Sequence, residues 1–194
     1  VETLDLMLRI DACYETRRWS LDHPDLEEAW YSCPECSWLI HILGYVDYDM
    51  VACGRVMLAC VEHTTLEMSK HSTAGVQAMQ PLLRAYADWL NTGAKEGVIR
   101  ALEELSKNMA HLEPAVELEP LHVRMYLRDS LTQRDYYPYI YAVHWCRDSL
   151  SRCRSGSNTE NSREYYLAYC DANKELSDII RSLVPLQSVL DLIK

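Results

Sequence analysis

The stretch Tyr166-Leu-Ala-Tyr169-Cys-Asp-Ala-Asn173-Lys-Glu-Leu176-Ser-Asp-Ile-Ile180-Arg-Ser-Leu183 decides the fold class. Its Tyr166, Tyr169, Asn173, Leu176, Ile180 and Leu183 recur at alternating spacings of three and four. That spacing puts them on one face of an α-helix of about five turns. Pro185 marks its end, and a last short helix, Leu186 to Ile193, follows. A strand would alternate with period two, and no segment of this chain does so convincingly.

Working outward, the same period returns in segment after segment. Pro138 opens a helix whose face reads Tyr139, Val143, Cys146, Leu150 and Cys153. Asp47 or Asp49 is placed to cap a helix from Met50 to Glu62, with Met50, Gly54, Met57 and Val61 in register. Pro34 suits the first turn of a helix carrying Trp38, Leu39, Ile42 and Leu43 and ending near Gly44. Pro81 is expected to open another through Leu82, Leu83, Tyr86 and Leu90, stopped by Gly93. Further helices are predicted from Leu4 towards Trp19, over Leu26 to Cys33, over 94–112 and over Leu121 to Thr132. The polar residues 63–75 read as a loop, and so does the Ser, Gly and Asn run of 155–162. The expectation is an all-α, single-domain antiparallel bundle or array of eight or nine helices over 1–194. The 154–162 loop is the one point of subdivision.

A chain of 194 residues, 48% hydrophobic and 25% charged, is large enough to bury a core without disulfide staples. No apolar run approaches the ~20 residues of a membrane span, and the N-terminus lacks a charged-then-apolar signal pattern. A cytoplasmic protein of a bacterial host cell, with no membrane contact, is expected. Its eight cysteines are then reduced, most of them small hydrophobes on helix faces.

The net charge of −10 argues against direct nucleic-acid binding, which needs a basic stripe. From Trp19 through Gly54 there are seven acids and no Lys or Arg: Asp22, Asp25, Glu27, Glu28, Glu35, Asp47 and Asp49. A second acidic stretch holds Glu103, Glu104, Glu113, Glu117 and Glu119 against Lys107. Such fields speed encounter with basic surfaces, and they also serve simply to keep a protein soluble.

Cys33-Pro-Glu-Cys36 is the most conspicuous chemical motif. Three readings stand side by side: structural cysteines, half of a metal site, or a dithiol with a lowered Cys33 pKa at a helix start. Zinc would need a second pair, and only a spatial coincidence with His41 or His63 would supply one. The di-iron-like half-motif Glu119-Pro-Leu-His122 lacks its partners, and Pro120 spoils it. No Gly-rich phosphate loop or nucleophile elbow is present. No cofactor, resident metal or catalytic residue is assigned.

The spacing Ala29-Trp30-x-x-Cys33, Trp38-Leu39, Ala52-Cys53 and Pro81-x-x-x-Ala85-x-x-x-Trp89-x-x-x-Gly93 resembles a group of small helical bacterial and phage proteins, some described as immunity proteins. The likeness covers the first half of the chain and carries no catalytic residues. It implies a non-enzymatic inhibitor encoded by a phage or mobile element, immunity-protein-like or anti-defence (anti-CRISPR-like). Such a protein would use the seven acids above to block a basic site on a target protein, for example a nucleic-acid-binding enzyme. Two alternatives remain open. One is a zinc- or thiol-dependent protein centred on Cys33 and Cys36. The other is a structural homodimer or oligomer assembled through the Tyr166–Leu183 seam.

Overall fold

One helix of this chain, Tyr137–Ser155, is buried on most of its sides, and a helix of that kind has to be surrounded. Tyr139, Ile140, Ala142, Val143, Cys146 and Leu150 are all buried, and so are Arg147, Ser149 and Ser151 between them. The computed structural model describes residues 2–9, 12–70, 74–109, 119–132, 136–156 and 162–193, with the side chains at 74–75, 108–109 and 119–122 outside that description. Among the described residues there are eleven helices and no strand. They are α1 (Thr3–Arg9), α2 (Tyr14–Asp22), α3 (Leu26–Ser32), α4 (Cys36–Tyr45), α5 (Met50–Met68), α6 (Ala74–Thr92), α7 (Glu96–Met109), α8 (Glu119–Thr132), α9 (Tyr137–Ser155), α10 (Arg163–Leu183) and α11 (Leu186–Leu190). The fold is all-α.

The central helix α9 packs against α10, α5, α8 and α4. On one flank α10 also meets α4 and α5; on the other α6 meets α5, α7 and α8. One continuous core results, running from Leu6 and Trp30 through Leu39, Met57, Leu82 and Val143 to Ile180 and Val189. Each such side chain, once fully buried, contributes about 1.5–3 kcal/mol. The seam that announced α10 belongs to this core: Asn173, Leu176 and Ile180 are buried within the chain, while its two ends, Tyr166 and Leu183, are exposed. Among the described residues no helix is long and apolar enough to cross a membrane.

Several helix ends behave as their residues dictate. Asp25 caps α3, Asp49 caps α5 and Ser162 caps α10 through side-chain oxygens. Asp47 takes a left-handed turn conformation instead (φ 53°). Gly93 ends α6 at φ 75°, a conformation only glycine adopts without strain.

Other boundaries differ from expectation, and each has a cause. The first predicted helix is two, α1 and α2, with the turn held by the Ala12 N–H on the Met7 carbonyl and by Arg17 Nε on the Ala12 carbonyl. Residues 63–68 continue α5, because Thr64 and Thr65 turn their hydroxyls back onto the Cys60 and Glu62 carbonyls and so bury without penalty. Pro81 lies inside α6 rather than at its start, on the exposed side, where water serves the carbonyl its ring leaves free. Pro34 precedes α4, which begins at Cys36. The predicted 155–162 loop falls largely outside the described residues, as do Glu113 and Glu117 and the side chains of Glu119 and His122.

Candidate functional site

The segment Cys33-Pro34-Glu35 joins α3 to α4 in extended conformation, with φ −54° and ψ 119° at Cys33 and φ −118° and ψ 114° at Glu35. The end of α3 and the start of this link leave carbonyls without a helical partner, and here α10 supplies the donors. Arg181 Nε donates to the Trp30 carbonyl at 2.9 Å and Nη2 to the Cys33 carbonyl at 3.1 Å. About two turns earlier on α10, Asn173 accepts from the Cys36 N–H and from the Cys36 thiol, both at 3.2 Å. Asn173 thereby satisfies one of the four N–H groups that open α4.

A second layer lies beneath. Arg147, on the all-round buried helix α9, donates through Nη1 to Glu35 at 3.1 Å and holds Asp148 at 2.9 Å. Its guanidinium sits 4.4 Å from the ring centroid of Tyr169, whose hydroxyl donates to the same Glu35 at 3.2 Å. Burial and the neighbouring Glu35 push the Tyr169 phenol up to about 12, so it keeps its proton as a donor. Between the link and α10 this arrangement leaves a groove of about 410 Å³. Tyr31, Cys33 and Glu35 line one side of it, and Tyr166, Tyr169 and Lys174 the other.

Both thiols of the CxxC pair are buried. Burial pushes Cys33 up to about 12 and raises Cys36 further, so neither is a thiolate at neutral pH. A lowered Cys33 pKa was the expectation from its place before a helix; the thiol is removed from water and donates to the Glu35 carbonyl instead. Cys60 and Cys146 are likewise buried and raised by desolvation. Among the described residues no group of three His, Cys, Asp or Glu side chains is placed to hold a metal ion. His63 bonds Glu175 at 2.9 Å, and Arg154 grips the same carboxylate with both terminal nitrogens. His41 is on the exposed side of α4, near His144.

The seven acids of the basic-free segment fall into three places. Asp22, Asp25, Glu27 and Glu28 gather where α2 ends and α3 begins, all exposed. Glu35 is alone at the groove floor, neutralised from within. Asp47 and Asp49 follow the far end of α4, whose ten residues put roughly 15 Å between them and Glu35. Asp49 is committed to its cap, and Asp47 accepts from the Tyr136 hydroxyl. Glu103 and Glu104 stand exposed on α7, away from this face.

Arg147 and Arg181 were not singled out by sequence, and Asn173 was read only as a seam position; Arg147 and Asn173 nevertheless left a signal. Arg147 interrupts the apolar positions of α9, where an unpaired charge would be prohibitive and so implies a carboxylate partner. Asn173 occupies a seam position otherwise held by Leu and Ile, the usual mark of a specific polar contact.

In comparisons with family models, curated proteins and solved structures, nothing matches this chain. Of the residues on which the expected resemblance to helical phage and bacterial proteins was drawn, Ala29, Trp30, Cys33, Leu39 and Cys53 are buried, Gly93 terminates a helix and Pro81 is exposed within α6. They report on folding.

Proposed function

We propose that this protein is a non-enzymatic binding domain that engages a basic surface of a protein partner through the α2–α3 corner and the adjoining groove. One observation carries the reading. Asp22, Glu27 and Glu28 are exposed, and their carboxylates enter none of the ion pairs of the described residues. Glu27 lies one turn before Tyr31, on the same face of α3, and Tyr31 is an exposed wall of the groove. Unpaired carboxylates beside exposed tyrosines form a surface of the type that meets basic, arginine-rich interfaces. The buried Cys33 and Cys36 thiols hold their protons, which favours binding over chemistry at that pair.

The test is capture of a partner from the source cells, followed by affinity measurement across salt. Affinity is expected to fall by about tenfold or more from low to high salt. The combined change Asp22→Asn, Glu27→Gln and Glu28→Gln should weaken binding comparably, while Glu103→Gln on α7 should not. A complex indifferent both to salt and to the triple change would refute the acidic corner as the contact.

A further inference from the structure

We infer that the groove between the Tyr31–Glu35 link and α10 is a modification site, in which Cys170 forms a mixed disulfide with a small disulfide bearing carboxylates, of the glutathione disulfide class. Helix α10 turns two rows of residues to this groove. Tyr169, Asn173 and Arg181 form the inner row, bonded to Glu35, to Cys36 and to the Cys33 carbonyl. Tyr166, Cys170, Lys174 and Asp178, spaced four apart, form the outer row at its mouth. Cys33 also lines the groove, but it is buried and its thiol is spent on the Glu35 carbonyl. Cys170 is exposed, and the Tyr166 hydroxyl is hydrogen-bonded to its sulfur. The groove therefore offers one accessible thiol.

Charge selects the reagent. The two carboxylates of the lining are already neutralised, Glu35 by Arg147 and Asp178 by Arg181. The other donors of Arg181 are on the Trp30 and Cys33 carbonyls. Asp171 follows Cys170 in sequence but is outside the lining, near Arg154. Lys174 is exposed and enters none of the ion pairs of the described residues. The unpartnered charge of the groove is thus an ammonium one helical turn from the thiol, and it favours a ligand that brings a carboxylate.

A polar occupant is favoured independently of that charge. Ser177 lies between Asn173 and Arg181 on the inner row, fully buried, and its hydroxyl has no hydrogen-bond partner. A polar group settling between Asn173 and Arg181 can supply the missing bond, and an apolar one cannot. The volume of about 410 Å³ is that of a small-molecule site, with the exposed Tyr31 and Tyr166 as its walls. In the reaction the Cys170 thiolate attacks one sulfur of the small disulfide. That S–S bond breaks as the new one forms, and the departing thiolate takes up the proton that Cys170 released. Cys170 is oxidised, and the small disulfide, which is the oxidant, is reduced.

The experiment treats the full chain with glutathione disulfide over a range of concentrations and follows each cysteine by peptide mass mapping. Cys13 is the internal reference, an exposed thiol on the Thr16 hydroxyl and outside this groove. The rate at Cys170 should saturate with concentration while the rate at Cys13 rises linearly. S-methylglutathione, which cannot react, should protect Cys170 several-fold and leave Cys13 unprotected. Lys174→Gln, an exposed change that leaves the fold intact, should lower the rate with glutathione disulfide relative to the cationic disulfide cystamine by about two- to fivefold. Ser177→Ala should weaken the protection without lowering the melting temperature. A linear rate at Cys170, equal protection of both thiols, a rate ratio untouched by Lys174→Gln, or protection untouched by Ser177→Ala would each overturn the assignment and leave Cys170 an exposed thiol only. No cellular partner is needed, so this result and that of the salt-dependent capture are told apart.

Discussion

Replacing Asn173 with alanine tests whether the groove is anchored as described. Asn173 is 2% exposed and takes two hydrogen bonds from Cys36, itself fully buried. The substitution strands the Cys36 N–H at the start of α4, where no water reaches. An unsatisfied buried donor costs about 1–3 kcal/mol, and the lost side-chain packing adds about 1 more. A total of about 2–4 kcal/mol corresponds to a fall in melting temperature of about 4–16 °C for a chain of this length. Circular dichroism at the helical band measures that fall, and urea titration gives the free energy independently. The break is also local, so hydrogen exchange at the Cys36 amide should quicken more than exchange in the α5 core around Met57. A melting temperature within 1 °C of the wild type, with Cys36 exchange unchanged, would show that α10 does not hold the link through this contact.

Thiol titration of the native protein should label Cys13 and Cys170 quickly and Cys153 slowly, with the five buried thiols reacting only after unfolding; rapid labelling of Cys33 would contradict its burial. Burial and the nearby Arg147 hold His144 down to about 4, with Asp148 opposing and His41 adding to the effect. The unfolded chain therefore takes up this proton first, and stability present above pH ~6.5 is lost as pH falls towards 4, by about 1–2 kcal/mol after allowing for partial exposure. His144→Gln should flatten that part of the pH–stability curve, and an unchanged slope would count against it. Gly44→Ala and Gly54→Ala should differ although both gain helix propensity. A Cβ at 44 would lie 2.8 Å from Tyr136 Cγ, and that ring is pinned by its hydroxyl to the Tyr48 carbonyl, so a loss of about 1–2 kcal/mol is expected. At 54 the obstacle is the mobile end of Leu90, and chemical denaturation should show a change near zero.

The all-α class was legible because it rests on local periodicity, and α10 shows this most plainly. Its seam residues Asn173, Leu176 and Ile180 are the ones buried. What escaped depends on hydrogen bonds that composition does not display. Thr64 and Thr65 look like loop residues until their hydroxyls are seen on helical carbonyls. Pro81 looks like a first-turn residue until it is found on a solvent-facing side of a helix already under way. Pro34 sits before its helix because Arg181, almost 150 positions away, holds the Cys33 carbonyl. No reading of neighbours along the chain can supply a constraint of that range.

The same distinction separates the acidic segment from the groove. Seven acids without a compensating base look like one surface when written in a line, yet α4 is a rod about 15 Å long that carries Asp47 and Asp49 away from the rest. Two of the seven stabilise helix starts, and Glu35 is neutralised from inside. What remains for a partner is the corner of Asp22, Glu27 and Glu28, and its position gains meaning from residues the charge pattern did not include. Tyr31 extends that corner to the groove, and Tyr166 and Tyr169 face it from α10. On the proposed reading, charge would bring a basic partner to this face at long range. Whether it stayed would depend on the short-range fit against the exposed tyrosines. Steering and retention are thus assigned to different residues. Neutralising Glu27 and Glu28 should act mainly on the association rate, and removing Tyr166 mainly on the dissociation rate. If both changes acted on the same rate constant, corner and groove would not divide the work in this way.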